Sequence, residues 1–253
     1  MGMNRKLFTM FAYLTDLHGN LGAVSELLER SKQRYPKLRF LLVGGDITRK
    51  PDWNENWVKA KNESISEACR LFSELDLETY FILGNDDIES PLAVSMNGPN
   101  FHGMTIDVVS MADGIGLLGF SYVPPTSFFT RYERCEKELE QMLEPLFKRL
   151  SKFKFKIAMC HAPYGTNLDI TKEWYPGGEE FQVHAGSKTI RKLVEKYHPD
   201  VGLFGHVHES AGYCRLGRTL CVNPGASNKK LRGCVFGFDS VEGIGEFELG
   251  RSR

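Results

Sequence analysis

The sequence predicts an α/β domain built around a mostly parallel β-sheet. Short apolar runs alternate with segments of helical periodicity over most of the chain. Three successive apolar runs end in the polar triplets D-L-H, G-G-D and G-N-D. The chain has 253 residues and 42% hydrophobic content, which is enough to bury one large core. We therefore expect residues 1–253 to form a single domain.

The first predicted element is a buried strand from Leu7 to Leu14, which delivers the stretch 15–20 (TDLHGN) to its carboxyl end. Open α/β sheets bind their ligands at this end of the strands. Asp16 and His18 share a face while the chain stays extended, so a carboxylate and an imidazole can converge on one metal ion. An Asx turn followed by a helix N-cap at Asn20 is the competing explanation.

The same arrangement recurs twice. A helix that ends near Arg34 leads into a strand over 38–43, which presents Asp46 after two glycines. Glycine lets the backbone turn sharply and approach a ligand closely. A third strand, 79–83, ends in G-N-D-D and presents Asn85. This regularity favours a shared site over chance.

A loop over 48–56 separates the second strand from the next predicted helix. That helix is expected to place five side chains inward: Val58, Ile65, Cys69, Phe72 and Leu75. The stretch 90–110 has a mixed pattern, which indicates only a strand from Thr105 to Val109. A strand over 115–122 and a helix over 132–150 follow, and Pro145 is expected to kink or divide that helix.

Two further strand ends carry histidines. A strand over 155–160 ends in His161, and a strand over 201–204 leads into the tetrapeptide G-H-V-H, which contains His206 and His208. These imidazoles would lie at the same edge as the earlier carboxylates if their strands run parallel.

The connection 164–185 is long and has little periodicity, which is typical of a lid or binding loop, so we predict a flap there. Ser187 is expected to cap a helix that ends at Tyr197. Four short antiparallel strands complete the prediction: Gly212–Leu216, Thr219–Val222, Gly233–Phe238 and Gly245–Leu249.

Seven donors are thus predicted at five strand ends: Asp16, His18, Asp46, Asn85, His161, His206 and His208. Mixed nitrogen and oxygen ligation without thiolate suits Mn, Fe, Zn, Co or Ni, and seven donors exceed the needs of one ion. We predict two divalent ions and favour Mn²⁺. A shared carboxylate holds such ions about 3.5–4 Å apart, the spacing at which a bridging hydroxide attacks phosphorus in line.

The motifs D-x-H, G-D, G-N-D, H and G-H-x-H occur here in that order. In this the sequence resembles the calcineurin-like metallophosphoesterase superfamily, and within it the small prokaryotic phosphoesterases of the Icc-related type. The resemblance runs from Asp16 to His208, extends to the tripeptide 223–225 (NPG) and includes the segment 184–187 (HAGS). It implies a four-layer α/β/β/α sandwich of two mixed sheets, the metallo-dependent phosphatase fold.

The resemblance also implies a role for each donor. The first metal would be bound by Asp16, His18 and His208, the second by Asn85, His161 and His206, and both by Asp46. The implied activity is hydrolysis of a phosphodiester or of an activated phosphomonoester. The substrate would be a small phosphoester, with a nucleotide among the candidates.

One residue departs from the pattern. Many catalytic members have His after G-N, whereas this chain has Asp86. An aspartate beside two cations is biased toward its ionised form and is a poor acid. His184 is the candidate for a substitute acid or phosphate donor, and an exposed loop histidine is an equally good explanation. Asp86 keeps open a second function, a metal-binding interaction scaffold with little or no turnover.

Composition excludes some partners. Lys plus Arg and Asp plus Glu both number 32, so no net charge draws the chain toward nucleic acid or an anionic membrane, and a nuclease is disfavoured. The six cysteines include no C-x-x-C pair, which favours a reducing cytoplasm. The first apolar run is too short to span a bilayer.

The remaining candidates each have a structural explanation as well. Four aromatic residues could stack on a flat substrate group or pack against the domain: Trp53, Trp57, Trp174 and Tyr175. His102 and His198 are expected to be structural or on the surface. The basic cluster Lys229, Lys230 and Arg232 is expected to be a solvated turn.

Overall fold

The computed structural model describes residues 9–32, 34–88, 97–127, 129–165, 167–174, 180–237 and 241–245. The strands, in chain order, are β1 (Met10–Leu14), β2 (Leu38–Val43), β3 (Glu78–Ile82), β4 (Phe101–Met104), β5 (Ile106–Ser110), β6 (Ile115–Phe120), β7 (Phe155–Cys160), β8 (Ile170–Trp174), β9 (Glu180–His184), β10 (Val201–Leu203), β11 (Gly212–Leu216), β12 (Thr219–Asn223), β13 (Arg232–Phe236) and β14 (Val241–Gly245). The helices are α1 (Gly22–Lys32), α2 (Trp57–Glu74), α3 (Glu136–Leu150) and α4 (Lys188–Tyr197).

Two six-stranded sheets organise the fold. The first has the order β14-β13-β1-β2-β3-β4 and the second the order β11-β12-β10-β7-β6-β5. Strands β1 to β4 run parallel to one another, as do β6, β7, β10 and β12, and antiparallel strands complete each sheet. Both sheets are therefore mixed, as the resemblance implied. Each parallel set also collects its carboxyl ends at one edge of its sheet.

Side chains on the two faces of β1 show how the layers form. Because successive side chains point to opposite faces, Phe11 and Tyr13 enter the core between the sheets, where Phe11 stacks on Phe40 with ring centroids 5.3 Å apart. Ala12 and Leu14 point to the opposite face, in the core shared with the helices. Helices α1 and α2 contact the first sheet, and α3 contacts the second sheet beside α4. The α/β/β/α sandwich is confirmed.

Helix α3 differs from the expectation for residues 132–150. It begins at Glu136 and continues through Pro145 to Leu150 as one helix. Proline removes one backbone hydrogen bond, yet buried leucines occur both before and after it, at Leu139 and Leu146. Packing of both halves on one surface outweighs the missing bond.

Other differences lie where a strand is defined by its neighbour. The expected loop 164–185 contains the hairpin β8–β9, and β4 lies in the stretch with the mixed pattern. Strand β14 lies at 241–245, and the predicted residues 246–249 are outside the described range. Local pattern does not reveal strand pairings of this kind, because the partner strand supplies the hydrogen bonds.

One side chain of helix α2 also differs from the expectation. Val58 was expected to point inward but is 46% exposed.

Glu136 joins the first turns of α3 and α4. Its Oε2 accepts hydrogen bonds from Ser187 Oγ (2.8 Å) and Thr189 N (3.0 Å), and its Oε1 accepts one from Lys188 N (2.9 Å). Burial would raise the pKa of Glu136, but these hydrogen bonds hold that pKa below its usual value. The carboxylate therefore satisfies amides that α4 itself leaves unpaired.

We expect Glu136→Gln to lower the free energy of unfolding at pH 7 by about 1–2 kcal/mol, because the amide loses the charge and one acceptor oxygen. A carboxyl group whose folded pKa is lowered stabilises the protein above its unfolded pKa of about 4.3, and this stabilisation is lost as pH falls further. Urea unfolding should thus show the difference at neutral pH and not in acid. The control is Glu29→Gln on the exposed face of α1. A loss of equal size at both pH values would contradict this account.

Candidate metal centre

Backbone hydrogen bonds join the loops that follow the strands. Asp16 N donates to Gly45 O (2.9 Å) and His18 N donates to Asp46 O (2.8 Å), which joins the loops after β1 and β2. Gly205 N donates to the carbonyl oxygen of His161 (3.0 Å), which joins the loops after β10 and β7. Each sheet thus presents its donors on paired loops.

Asp16 connects the two sheets. Its buried carboxylate accepts hydrogen bonds from Thr15 Oγ1 (2.8 Å) and from the backbone N of His206 (3.1 Å to Oδ2). Its Oδ1 also lies 3.1 Å from Nε2 of His208. The end of β1 is therefore held against the loop that follows β10.

Four of the predicted donors have left-handed backbone conformations. The φ angles are 53° for Asp16, 43° for His18, 49° for Asp46 and 65° for His206. Asp and His are enriched among the non-glycine residues that adopt this region. Such conformations cost roughly 1 kcal/mol or more each and persist where surrounding structure holds them, often at functional sites.

His18 and His208 face each other. Their Nε2 atoms are 3.4 Å apart, and His18 Nε2 is 3.8 Å from Asp46 Oδ2. Two imidazole nitrogens that bind one ion at about 2.0–2.1 Å lie roughly 3.4 Å apart in tetrahedral geometry. Asp16, His18 and His208 each offer a ligand atom within 4.8 Å of the others. This group fits a divalent ion.

His161 is buried, and its Nδ1 has a fixed role as a hydrogen-bond donor. Its Nδ1 lies 2.8 Å from the carbonyl oxygen of Gly44, which can only accept, so Nδ1 carries the proton and donates it. Its Nε2 lies 3.1 Å from Asn85 Oδ1 and 3.4 Å from Asp46 Oδ2. Asp16, Asp46 and His161 form a second group whose ligand atoms lie within 4.8 Å of one another.

His206 is placed beside the second group, with its ring centroid 5.3 Å from that of His161. The structure thus brings all seven predicted donors into one cluster, linked by the contacts described above. Asp46 is central because its Oδ2 lies near the Nε2 atoms of both His18 and His161.

The charges in this cluster influence one another. Burial lowers the pKa of His161, but the Asp46 and Asp16 carboxylates outweigh burial and raise that pKa to about 9. Burial and the neighbouring His161 lower the pKa of His206 to about 4. Burial would raise the pKa of Asp46, yet His161 and His18 hold it well below its usual range. The cluster therefore keeps its carboxylates ionised and favours positive charge at its centre.

Two glycines allow this close packing. A Cβ at Gly84 would lie 2.2 Å from Asp46 Oδ1 and 2.7 Å from His161 Cε1. A Cβ at Gly205 would lie 2.2 Å from Thr15 Oγ1. No side chain fits at either position without displacing a donor or the group that orients it.

We expect Gly84→Ala to weaken Mn²⁺ binding about tenfold or more, because a shift of Asp46 or His161 costs roughly 1–3 kcal/mol. Isothermal titration calorimetry measures the affinity. The control is Gly22→Ala at the start of α1, where the added Cβ would make an ordinary 3.5 Å contact. Equal affinity in the two variants would contradict the proposed crowding at Gly84.

The two predicted catalytic residues lie in different surroundings. Asp86 Oδ2 is 3.4 Å from Nδ1 of His18 and 3.4 Å from Nζ of Lys61. His184 Nδ1 lies 2.8 Å from Asp169 Oδ1, and the imidazole is 62% exposed. Within the described part of the chain, no hydrogen bond or ion pair joins His184 to the seven donors.

Sequence reasoning missed three residues at the site. Asp87 accepts hydrogen bonds from the backbone of Ile47, Thr48 and Gly84 and so joins the loops after β2 and β3. Lys61 is buried beside Asp86, and Thr130 Oγ1 accepts a hydrogen bond from Asn85 Nδ2 (3.2 Å). A signal existed for Lys61, because it precedes the inward Ile65 by one helical turn.

The remaining candidates are also placed. Trp53 is 95% exposed, and Trp57 is 38% exposed at the start of α2. Trp174 lies in β8, and Tyr175 is outside the described residues. The ring of His102 packs on Tyr80, His198 ends α4 in a left-handed conformation, and Lys229 and Lys230 are exposed while Arg232 is half-buried.

Fold and site together define a class of protein: a sandwich of two sheets that presents histidines and carboxylates suited to divalent metals at its strand ends. The family model described as calcineurin-like phosphoesterase matches residues 9–210. The chain belongs to this family, which confirms the resemblance.

The chain is also similar to individual proteins and solved structures. An uncharacterized protein of Methanocaldococcus jannaschii is 29% identical over 216 residues, which cover 83% of this chain and 85% of that protein. A crystal structure from Thermus thermophilus is similar with a TM-score of 0.65 at 13% identity, over 94% of this chain and 98% of that one. A putative 5'-nucleotidase from Staphylococcus aureus has a TM-score of 0.58 at 15% identity, over 96% of this chain and 55% of its own.

Two further findings concern the rest of the molecule. No disulfide bond joins any of the six cysteines, which all lie among the described residues. Among the described residues, no helix combines the length and apolar character that crossing a membrane requires.

Proposed function

We propose that this chain is a dinuclear-metal phosphoesterase that hydrolyses a phosphodiester or an activated phosphomonoester. The observation that carries the proposal is the position of Asp46, whose Oδ2 lies 3.8 Å from His18 Nε2 and 3.4 Å from His161 Nε2. One carboxylate oxygen between two histidines suits a ligand shared by two ions.

The proposed ligands follow from that position. Asp16, His18 and His208 would hold one ion, Asn85, His161 and His206 would hold the other, and Asp46 would serve both. Asp16 also belongs to the second group of ligand atoms, so it lies within reach of either ion. The mixed imidazole and oxygen donors make Mn²⁺ the first ion to test, ahead of Fe, Zn, Co or Ni.

Two bound ions would supply an activated water nucleophile and neutralise charge on the phosphoryl group. The residues of the chain orient this chemistry. The Gly44 carbonyl fixes the tautomer of His161, and Thr15 Oγ1 together with the backbone N of His206 orients the carboxylate of Asp16. Thr130 binds the amide group of Asn85, which leaves its Oδ1 directed at His161 Nε2.

A small phosphoester is the proposed substrate, and a nucleotide is one candidate. Thr130 contacts Asn85, and the next residue, Arg131, has its guanidinium 5.1 Å from the centre of the Trp57 ring. A cation and an aromatic face beside the proposed site suit a substrate that carries an anionic and a flat group. The similarity to a putative 5'-nucleotidase agrees with this choice. Neutral overall charge argues against long nucleic acid.

The hairpin in the connection 164–185 remains a proposed flap. Its base is fixed close to the site, because Asn223 Nδ2 donates to the carbonyl oxygens of both Leu168 (3.2 Å) and Val207 (3.0 Å). Strand β8 begins two residues beyond Leu168. We also propose a cytoplasmic location, because no disulfide bond joins the six cysteines.

We expect Mn²⁺-saturated protein to contain two equivalents of metal per chain, because the donors exceed one ion's needs. Asp46→Asn should lower occupancy of both sites together, since a shared ligand serves both ions. Metal analysis after desalting measures this, and Asp52→Asn in the exposed loop before α2 is the control. If wild type binds at most one equivalent of metal, the dinuclear centre is contradicted. If Asp46→Asn loses only one of the two ions, the shared ligand is contradicted.

We expect hydrolysis to depend steeply on the acidity of the leaving group, because Asp86 faces the ammonium of Lys61 and Nδ1 of His18, where its carboxylate is placed to accept protons and not to donate one. General acid help is worth about 10²–10⁴ in rate. The measurement is kcat/KM for a series of substituted phenyl phosphodiesters in wild type and in His184→Gln. A shallow dependence in wild type that becomes steep in the variant would identify His184 as the acid and contradict this expectation.

The scaffold alternative makes a different prediction for the same protein. A scaffold would bind two ions and leave every phosphodiester and phosphomonoester of a broad panel intact. Turnover that disappears with Asp46→Asn and returns when the native residue is restored would support the enzyme.

A further inference from the structure

Lys61 is an unusual residue for the inner face of a helix. It lies on α2, and its side chain is fully buried. Within the described residues its ammonium nitrogen has no hydrogen bond. Its Nζ lies 3.4 Å from Asp86 Oδ2 and 5.9 Å from the centre of the Trp57 ring. Lysine is almost never fully buried without an opposite charge, so its partner is Asp86.

Asp86 has a second neighbour on its other side. The same Oδ2 lies 3.4 Å from Nδ1 of His18. Neither of these two atoms has a hydrogen bond in the part of the chain that the structure describes. The opposite nitrogen of His18, Nε2, faces His208 and Asp46. Asp86 therefore approaches His18 from the side of the ring that faces away from the other donors.

We propose that Lys61 is a positioning residue of the metal centre, which holds Asp86 against Nδ1 of His18 and thereby keeps Nε2 of His18 directed at the ion. This inference rests on the proposed role of His18 as a metal ligand. Ligating histidines almost always donate their other ring N–H to a carboxylate, a carbonyl or water. His161 Nδ1 donates to the carbonyl oxygen of Gly44, and Asp86 Oδ2, 3.4 Å from Nδ1 of His18, is the carboxylate oxygen placed to play this part for His18.

The charge of Asp86 explains why a cation is needed behind it. The carboxylate is 26% exposed at a site whose proposed substrate is an anion. An unpaired negative charge there would repel a phosphoester, and the effect is strong where water is partly excluded. Lys61 offsets that charge from the buried side and leaves no extra cation facing the substrate. The pair thus orients His18 at little electrostatic cost to binding.

A purely structural Lys61 is the competing explanation. In that case the lysine anchors α2, and its replacement lowers stability and metal affinity regardless of what residue 86 is. A positioning role through Asp86 instead requires that the effect on metal affinity disappear when Asp86 has already been neutralised.

The experiment is a double-mutant cycle for Mn²⁺ affinity, measured by calorimetry on wild type, Lys61→Met, Asp86→Asn and the double variant. Each single substitution should weaken the site that contains His18 by about 10–100-fold. The double variant should bind no more weakly than Asp86→Asn alone. Losses that multiply in the double variant, or an unchanged affinity in Lys61→Met, would overturn the proposal.

Lys59→Met is the matched control, because Lys59 lies on the same helix with its side chain 75% exposed. Its Mn²⁺ affinity should equal that of wild type. Circular dichroism and thermal unfolding verify folding, and Lys61→Gln replaces Lys61→Met in the cycle if the latter does not fold.

Nitrogen-15 NMR of the Zn²⁺-loaded protein adds a readout independent of affinity. His18 should show a protonated Nδ1 in wild type and lose this single state in Lys61→Met, whereas a purely structural lysine would leave it unchanged. Wild type without two Mn²⁺ sites would refute the proposed function itself. Two sites in wild type with a normal Lys61→Met would refute only the role of Lys61.

Discussion

The buried carboxylate of Asp16 is the group on which the geometry of the site depends. It belongs to the end of β1 in the first sheet, yet two of its partners, the backbone N of His206 and the ring of His208, belong to the loop after β10 in the second sheet. A buried carboxylate is stable only when its oxygens are hydrogen-bonded or paired with charge. The need to satisfy Asp16 therefore fixes the distance between the two sheets where the donors meet.

The backbone around the donors is strained, and the sandwich tolerates that strain. Asp16, His18, Asp46 and His206 all adopt left-handed conformations. Their loops are held by hydrogen bonds to one another and follow strands that are buried on both faces. Rigid strands and paired loops hold the side chains in place, and a metal site requires such support.

Charge at the site is balanced locally, since the chain as a whole has no net charge. The Asp46 and Asp16 carboxylates outweigh burial and raise the pKa of His161 to about 9. Divalent ions would supply the same positive charge with better geometry. The ammonium of Lys61 offsets the negative charge of Asp86 from the interior, as the ions would offset that of Asp46. Asp86 therefore has a physical role that does not require it to act as an acid.

The sequence by itself determined the order of the main strands and helices around the site and the seven side chains that the structure brings together there, because apolar periodicity and polar strand ends are local properties of the chain. It also indicated the family, because the motifs and their order can be recognised along the sequence alone. Only the tertiary structure decided the pairing of β4, β8, β9 and β14, because hydrogen bonds from a neighbouring strand form these elements. Tertiary structure also decided the surroundings of Asp86 and His184: Asp86 lies between Lys61 and His18, and His184 has an exposed side chain beside Asp169. Residues distant in sequence create these environments, and no local pattern contains them.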